Sequence, residues 1–183
     1  MRRSIVVWMI FGALIAGIGG SIAGARQGDL LRRPPLLVPV TQQADRILVE
    51  KGERRMRLFR GEREIARYAI GLGFSPEGDK EREGDGRTPE GVYRIDWRNP
   101  ESAYHLSLRV SYPDAQDLAE AAARGDNPGG DIFIHGVPNN TAAHLAAQLK
   151  GHDWTAGCIS VSNEEIREIW SLVPDGAVIE ILP

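Results

Sequence analysis

The chain has 183 residues, 42% of them hydrophobic, which is enough to fill one core of ordinary size and makes one domain the default. Its 22 Lys and Arg against 25 Asp and Glu leave a formal charge of -3, with the basic residues scattered along the chain. No stretch combines dense cationic charge with stacking aromatics, which excludes nucleic acid as the main partner.

Arg2 and Arg3 precede Ser4 to Ala25, 22 uncharged residues rich in Ile, Val and Leu, so the N-terminus reads as an export element outside the fold. Ala23-Gly24-Ala25 has the small-x-small form of a signal-peptidase site, yet a stretch of this length also suffices for an uncleaved membrane anchor. Both readings stay open. A buried core helix is the weaker one, because five glycines and the flanking arginines do not suit it. Without residues 1–25 the charge becomes -5, since Arg2 and Arg3 are the segment's only charged groups. Residues 26–43 lack periodicity and hold Pro34, Pro35 and Pro39, which predicts an extended tether before a folded unit at 44–183.

In that unit Ile47 and Val49, then Met56 and Leu58, alternate with polar residues on either side of Lys51-Gly52-Glu53, the signature of a hairpin over residues 46–50 and 54–59. A turn at Gly61-Glu62 leads to Ile65, Tyr68 and Ile70, extending the hairpin to a meander that ends in Gly71-Leu72-Gly73. Residues 76–91 are almost wholly Gly, Pro and charged, which predicts a surface loop. Residues 92–95 and 104–110 resume strand-like composition. Pro113 opens and Gly125 stops an Ala-rich helix. Asp131 to Ile134 reads as a buried strand carrying His135-Gly136 at its C-terminal end. Residues 141–150 are helical by composition, and Ser162 with Glu165 has the capping-box spacing before Ile166, Ile169 and Trp170. Ala177 to Leu182 closes the chain as a strand. The expected class is mainly β, a sandwich or meander with a few short peripheral helices and no repeats.

Cys158 is the chain's one cysteine, so no structural disulfide explains it in an exported protein. A small buried hydrophobe is the bland reading of a lone thiol; its neighbours decide otherwise. A thiol attacks as thiolate, and from a reference pKa of about 8.5 it needs a nearby imidazole or aligned N–H groups to ionise near neutrality. Gly157 directly before Cys158 permits a tight bend whose amides could face a developing oxyanion. His135, at the end of a buried strand, would be the general base and acid, with the Gly136 carbonyl turned back to fix its tautomer.

His-Gly followed after some twenty residues by Thr-x-Gly-Cys, here His135-Gly136 and Thr155-Ala156-Gly157-Cys158, resembles the active-site signature of the L,D-transpeptidase catalytic domain (YkuD-type). The opening meander and the Gly84-Asp85-Gly86-Arg87-Thr88-Pro89-Glu90-Gly91 loop are similar to the same family, and the likeness runs from Ala44 to Pro183. The resemblance implies attack by Cys158 on the amide between the L-centre of a diamino acid and the terminal D-Ala of a peptidoglycan tetrapeptide stem. It implies a thioester passed to an amine, with no metal and no organic cofactor. Two positions depart from the family pattern: Ala156, commonly His, and Ser160, commonly Arg or Asn. The long spacing from His135 to Thr155 predicts an enlarged lid.

Three rival readings remain at this level. Zinc held by some of His135, His144, His152, Asp153 and Cys158 lacks a recognisable ligand motif, and His144 reads as a helix-surface histidine. A hydrolase on the same thiol differs only in whether water reaches the thioester first. A non-enzymatic wall-binding module would leave the thiol, base and glycine unexplained. Around the site Thr155, Trp154, Ser160, Asn163 and Tyr104 are substrate-binding candidates; Trp154 could equally close the core, Tyr104 belong to a half-buried strand and Asn163 cap a helix. Arg87 and Thr88 could reach substrate or only end a turn. The expected partners are peptidoglycan stem peptides, the membrane if the N-terminal segment is uncleaved, and no second copy of the chain.

Overall fold

The structure, a computed structural model, describes residues 33–183, so the export segment expected over residues 1–25 lies outside the described residues. Among these residues no helix is long and apolar enough to cross a membrane.

Eight strands form the sheet: β1 (Arg46–Glu50), β2 (Arg55–Arg60), β3 (Arg63–Ala69), β4 (Gly91–Asn99), β5 (Ser107–Val110), β6 (Phe133–His135), β7 (Ile159–Ser160) and β8 (Val178–Leu182). Three helices flank them: α1 (Ala115–Arg124), α2 (Ala143–Leu149) and α3 (Asn163–Leu172). The mainly β class with short helices therefore holds. Strand order is β3-β2-β1-β8-β4-β5-β6-β7, antiparallel except for β1 beside β8 and β6 beside β7.

The alternation read in β1 and β2 serves one core: Ile47, Val49, Met56 and Leu58 are fully buried, with Ile70, Ile95, Leu108, Ile134, Ile159 and Ile179. Helix α3 covers it through Ile166, Ile169 and Trp170, and begins with the predicted capping box between Ser162 and Glu165. Helix α1 starts with a second box, between Asp114 and Asp117. Each such cap is worth about 1 kcal/mol.

The sheet curls until its two edges meet. Past β3, Gly71 exchanges both backbone hydrogen bonds with Ser160 of β7 (2.9 and 2.8 Å), and Phe74 N donates to Thr155 O at 2.9 Å.

Two expectations gain detail. The end of the tether lies against the folded unit: Val38 N donates to Ser171 O (2.9 Å), and Arg60 donates to the carbonyls of Val40 and Gln43 (2.8 and 2.9 Å). The loop at 76–91 is not merely solvated, because it wraps two buried lysines. Lys51 Nζ donates to Gly78 O, Thr88 O and Glu90 Oε1 (2.6, 2.9 and 2.8 Å), and Lys80 Nζ to Asp85 and Arg82 O (2.8 and 3.0 Å).

Candidate active site

Strand register assembles the site. In the parallel pair of β6 and β7, Ile134 faces Ile159 and His135 faces Ser160. Alternate residues share a face and adjacent strands lie about 4.8 Å apart, so Cys158, two residues before Ser160, falls on the face of Phe133 and His135. Across β5 the same face brings in Ser107, paired with His135, and across β4 Asn99, paired with Ser107. Cys158, Phe133, His135, Ser107 and Asn99 all line one cavity of about 520 Å³, closed further by Tyr104, Asp131 and Trp154.

His135 is 4% exposed, and its Nδ1 lies 2.6 Å from Gly136 O. A carbonyl only accepts, so Nδ1 carries the proton and Nε2 is the basic nitrogen. The ring is clamped by Tyr104 (centroids 4.5 Å apart) and by Trp154 (5.7 Å). The indole N–H of Trp154 is buried without a partner among the described residues. Asn163 sits behind the turn: its Oδ1 accepts from Val137 N (3.0 Å) and would lie 2.4 Å from a Cβ at Gly136, so only glycine fits there.

Thr155 folds the nucleophile turn. Its hydroxyl donates to Cys158 O (2.6 Å) and accepts from Gly157 N (3.2 Å). Gly157 has φ of 135°, and a Cβ on it would stand 2.7 Å from the Arg87 carbonyl, so both conformation and space demand glycine. The segment before the turn is anchored by Asp153, which takes a two-pronged contact from Arg54 and the amide of Leu72 at 2.9 Å.

The half-buried Cys158 thiol donates to the Asp131 carbonyl at 3.5 Å. Burial pushes the thiol above its ordinary value, with the Asp131 charge adding to the rise and the Phe133 amide and Lys80 opposing it. Burial also pulls the His135 imidazole below its ordinary value, opposed by the Gly136 contact. Both directions favour the uncharged form of each group. Alkylation of the free protein by iodoacetamide is expected to climb only through a thiol ionisation above the ordinary range. A rate plateau between about pH 5 and 7 would mean a thiolate–imidazolium pair instead.

Other candidates move away from the cavity. Ser160 is 3% exposed and faces Gly71, on which a Cβ would lie 2.6 Å from the Ser160 hydroxyl, and it is not among the residues lining the cavity. Asn163 borders a different hollow, beside Val137, Thr141 and Lys150. Tyr104 and His105 precede β5 in a turn rather than lying on a strand, with His105 at φ of 70°. Thr88 is fully buried and accepts from Gly73 N, and Arg87 donates to Asp79 O within its own loop. The long segment after His135 builds α2, none of whose residues line the cavity; of that segment Trp154 is what reaches it. No group of three or more His, Cys, Asp or Glu is placed for a metal among the described residues; His144 and His152 are exposed, and Asp153 is committed to Arg54. Asp131 and the Arg54–Asp153 pair were missed from sequence, since only a fold brings residues so far apart together.

The family model for the L,D-transpeptidase catalytic domain, YkuD, matches residues 44–181. The chain belongs to this family. YafK of Escherichia coli (strain K12), named as a candidate L,D-transpeptidase, is 29% identical over 117 residues, which is 62% of this chain and 37% of that protein. The helical cell shape determining protein Pgp2 of Campylobacter jejuni is similar in structure, with a TM-score of 0.58, 23% identity, and 85% and 55% of the two chains covered. An L,D-transpeptidase from Mycobacterium smegmatis gives 0.50 at 12% identity, covering 76% and 59%. At these identities the structural likeness is one of fold. The chain thus spans little more than a third of YafK and about half of Pgp2.

Proposed function

We propose that this L,D-transpeptidase-family domain is a cysteine acyltransferase acting on peptidoglycan stem peptides in the cell envelope, reached by export through residues 1–25. The observation that carries the reading is the imidazole whose Nδ1 is tied to Gly136 O, leaving a basic Nε2 on the same sheet face and cavity as the thiol.

As Sγ bonds to the carbonyl carbon between the diamino acid and D-Ala, its proton passes to Nε2. The oxygen takes up the negative charge beside the amide of Cys158, which no acceptor among the described residues engages. Gly157, first expected to supply that amide, has its own N–H on Thr155. Collapse breaks the C–N bond, and the imidazolium returns its proton to the departing amine of D-Ala. Such proton shuttling is worth about 10² to 10⁴ in rate. An amine then attacks the thioester, His135 takes its proton, and the thiol is regenerated. Trp154 and Tyr104 wall the approach.

Intact-protein mass spectrometry after incubation with a tetrapeptide stem or a carbapenem tests this. A single covalent adduct is expected on the wild-type chain and none on Cys158→Ala; an unmodified wild-type chain overturns the reading. Products then separate transfer, which yields a cross-linked dimer, from hydrolysis, which yields tripeptide.

A further inference from the structure

Asp131 carries the only formal charge among the described residues lining the cavity, His135 being neutral. It stands at φ of 54°, a left-handed conformation that Asp and Asn adopt more readily than most side chains. That bend turns its backbone carbonyl to the Cys158 thiol while its exposed side chain borders the cavity. The carboxylate makes no hydrogen bond or ion pair with another described residue. Arg109 feels its charge, but Asp96 holds that guanidinium with two hydrogen bonds (2.8 and 3.1 Å). An uncompensated anion therefore stands within one residue's reach of the reacting sulfur, in a cavity otherwise walled by aromatic rings and small polar groups.

We infer that Asp131 is a specificity-determining residue that draws the primary ammonium group of the acceptor, as on the side chain of a diamino acid, to the Cys158 thioester. This rests on the acyl-transfer reading above. An aliphatic amine has a pKa of about 10.4 and arrives protonated, so a lone carboxylate attracts it where water gains nothing. The same carboxylate also holds the proton on the amine more firmly. Its benefit therefore falls on acceptor binding, and His135 Nε2 removes the proton once the amine is in place. The device biases the thioester toward transfer over hydrolysis, and its effect on acylation runs the other way, because the same charge disfavours the thiolate.

Asp131→Asn keeps the shape, the left-handed bend and the carbonyl that meets the thiol. Two rates are to be measured side by side on this variant and the wild type: acylation by a tetrapeptide stem, and transfer to a diamino-acid acceptor. Acylation is expected to be at least as fast as in the wild type, since loss of the Asp131 charge eases ionisation of the thiol, while KM for the acceptor rises about tenfold with kcat little altered, and the product shifts from dimer to tripeptide. Added salt is expected to raise the acceptor KM of the wild type and not of the variant. An unchanged acceptor KM overturns the inference. So does a loss of acylation equal to the loss of transfer, which would reduce Asp131 to a shaper of the turn. A wild type that releases only tripeptide at saturating amine overturns it as well, while its normal acylation leaves the thioester reading standing.

Discussion

Cys158→Ala is expected to lower turnover on the order of a millionfold, to the residual rate of a site that binds without a nucleophile. Stability should scarcely change. The side chain is half-buried and its contact to the Asp131 carbonyl is long, so loss of the sulfur costs less than about 1 kcal/mol. The turn around it is held by Thr155 and Gly157, which do not depend on the thiol. Thermal melting with circular dichroism, run beside product release, separates these quantities. Residual turnover near the wild-type level would end the nucleophile assignment, and a collapsed melting temperature would show that the thiol is structural.

Asp85→Ala is expected to destabilise the fold by about 3–5 kcal/mol, because it strands Lys80 as a buried, uncompensated charge. The two side chains are 8% and 3% exposed and 2.8 Å apart. Burial alone would raise the Asp85 carboxyl, but Lys80 and the amides of Arg82, Arg87 and Glu81 more than offset it and hold it at about 2. A carboxyl lowered from 3.8 in this way stabilises the fold fully above that value, and the contribution is lost as pH falls toward 2. Acid titration of the melting temperature is thus expected to show a loss below about pH 4 that the variant lacks. Urea denaturation of Lys80→Met/Asp85→Leu, which removes both charges, is expected to recover much of the deficit. If the single variant melts like the wild type, the pair contributes nothing. Activity should fall at temperatures below unfolding too, since the Arg87 carbonyl of this loop abuts Gly157.

Much of this architecture was readable from residue patterns. The alternation of Ile47, Val49, Met56 and Leu58 and the Ser162–Glu165 capping box are local signals, and local physics honours them. Strand β7 was not legible because two residues, Ile159 and Ser160, carry no periodicity; pairing with β6 and with Gly71 makes them a strand. That the loop at 76–91 also encloses Lys51 between two carbonyls and Glu90 has no signal in sequence, because these groups meet only through the fold. Ser160 was placed at the substrate because it follows Cys158 by two positions. It does share the thiol's face, but Gly71 closes over it. The pull of burial on the thiol and imidazole was out of reach, since burial depends on the whole assembly.

The parallel pairing of β1 with β8 joins Arg46 to Val178, 132 positions later. Until the last strand is available, β1 has one bare edge and β4 has no neighbour on the β8 side. Contacts of such long sequence separation form late and slowly. The sheet that carries the reactive face therefore closes only after residues 178–182 have been made and have slotted between β1 and β4.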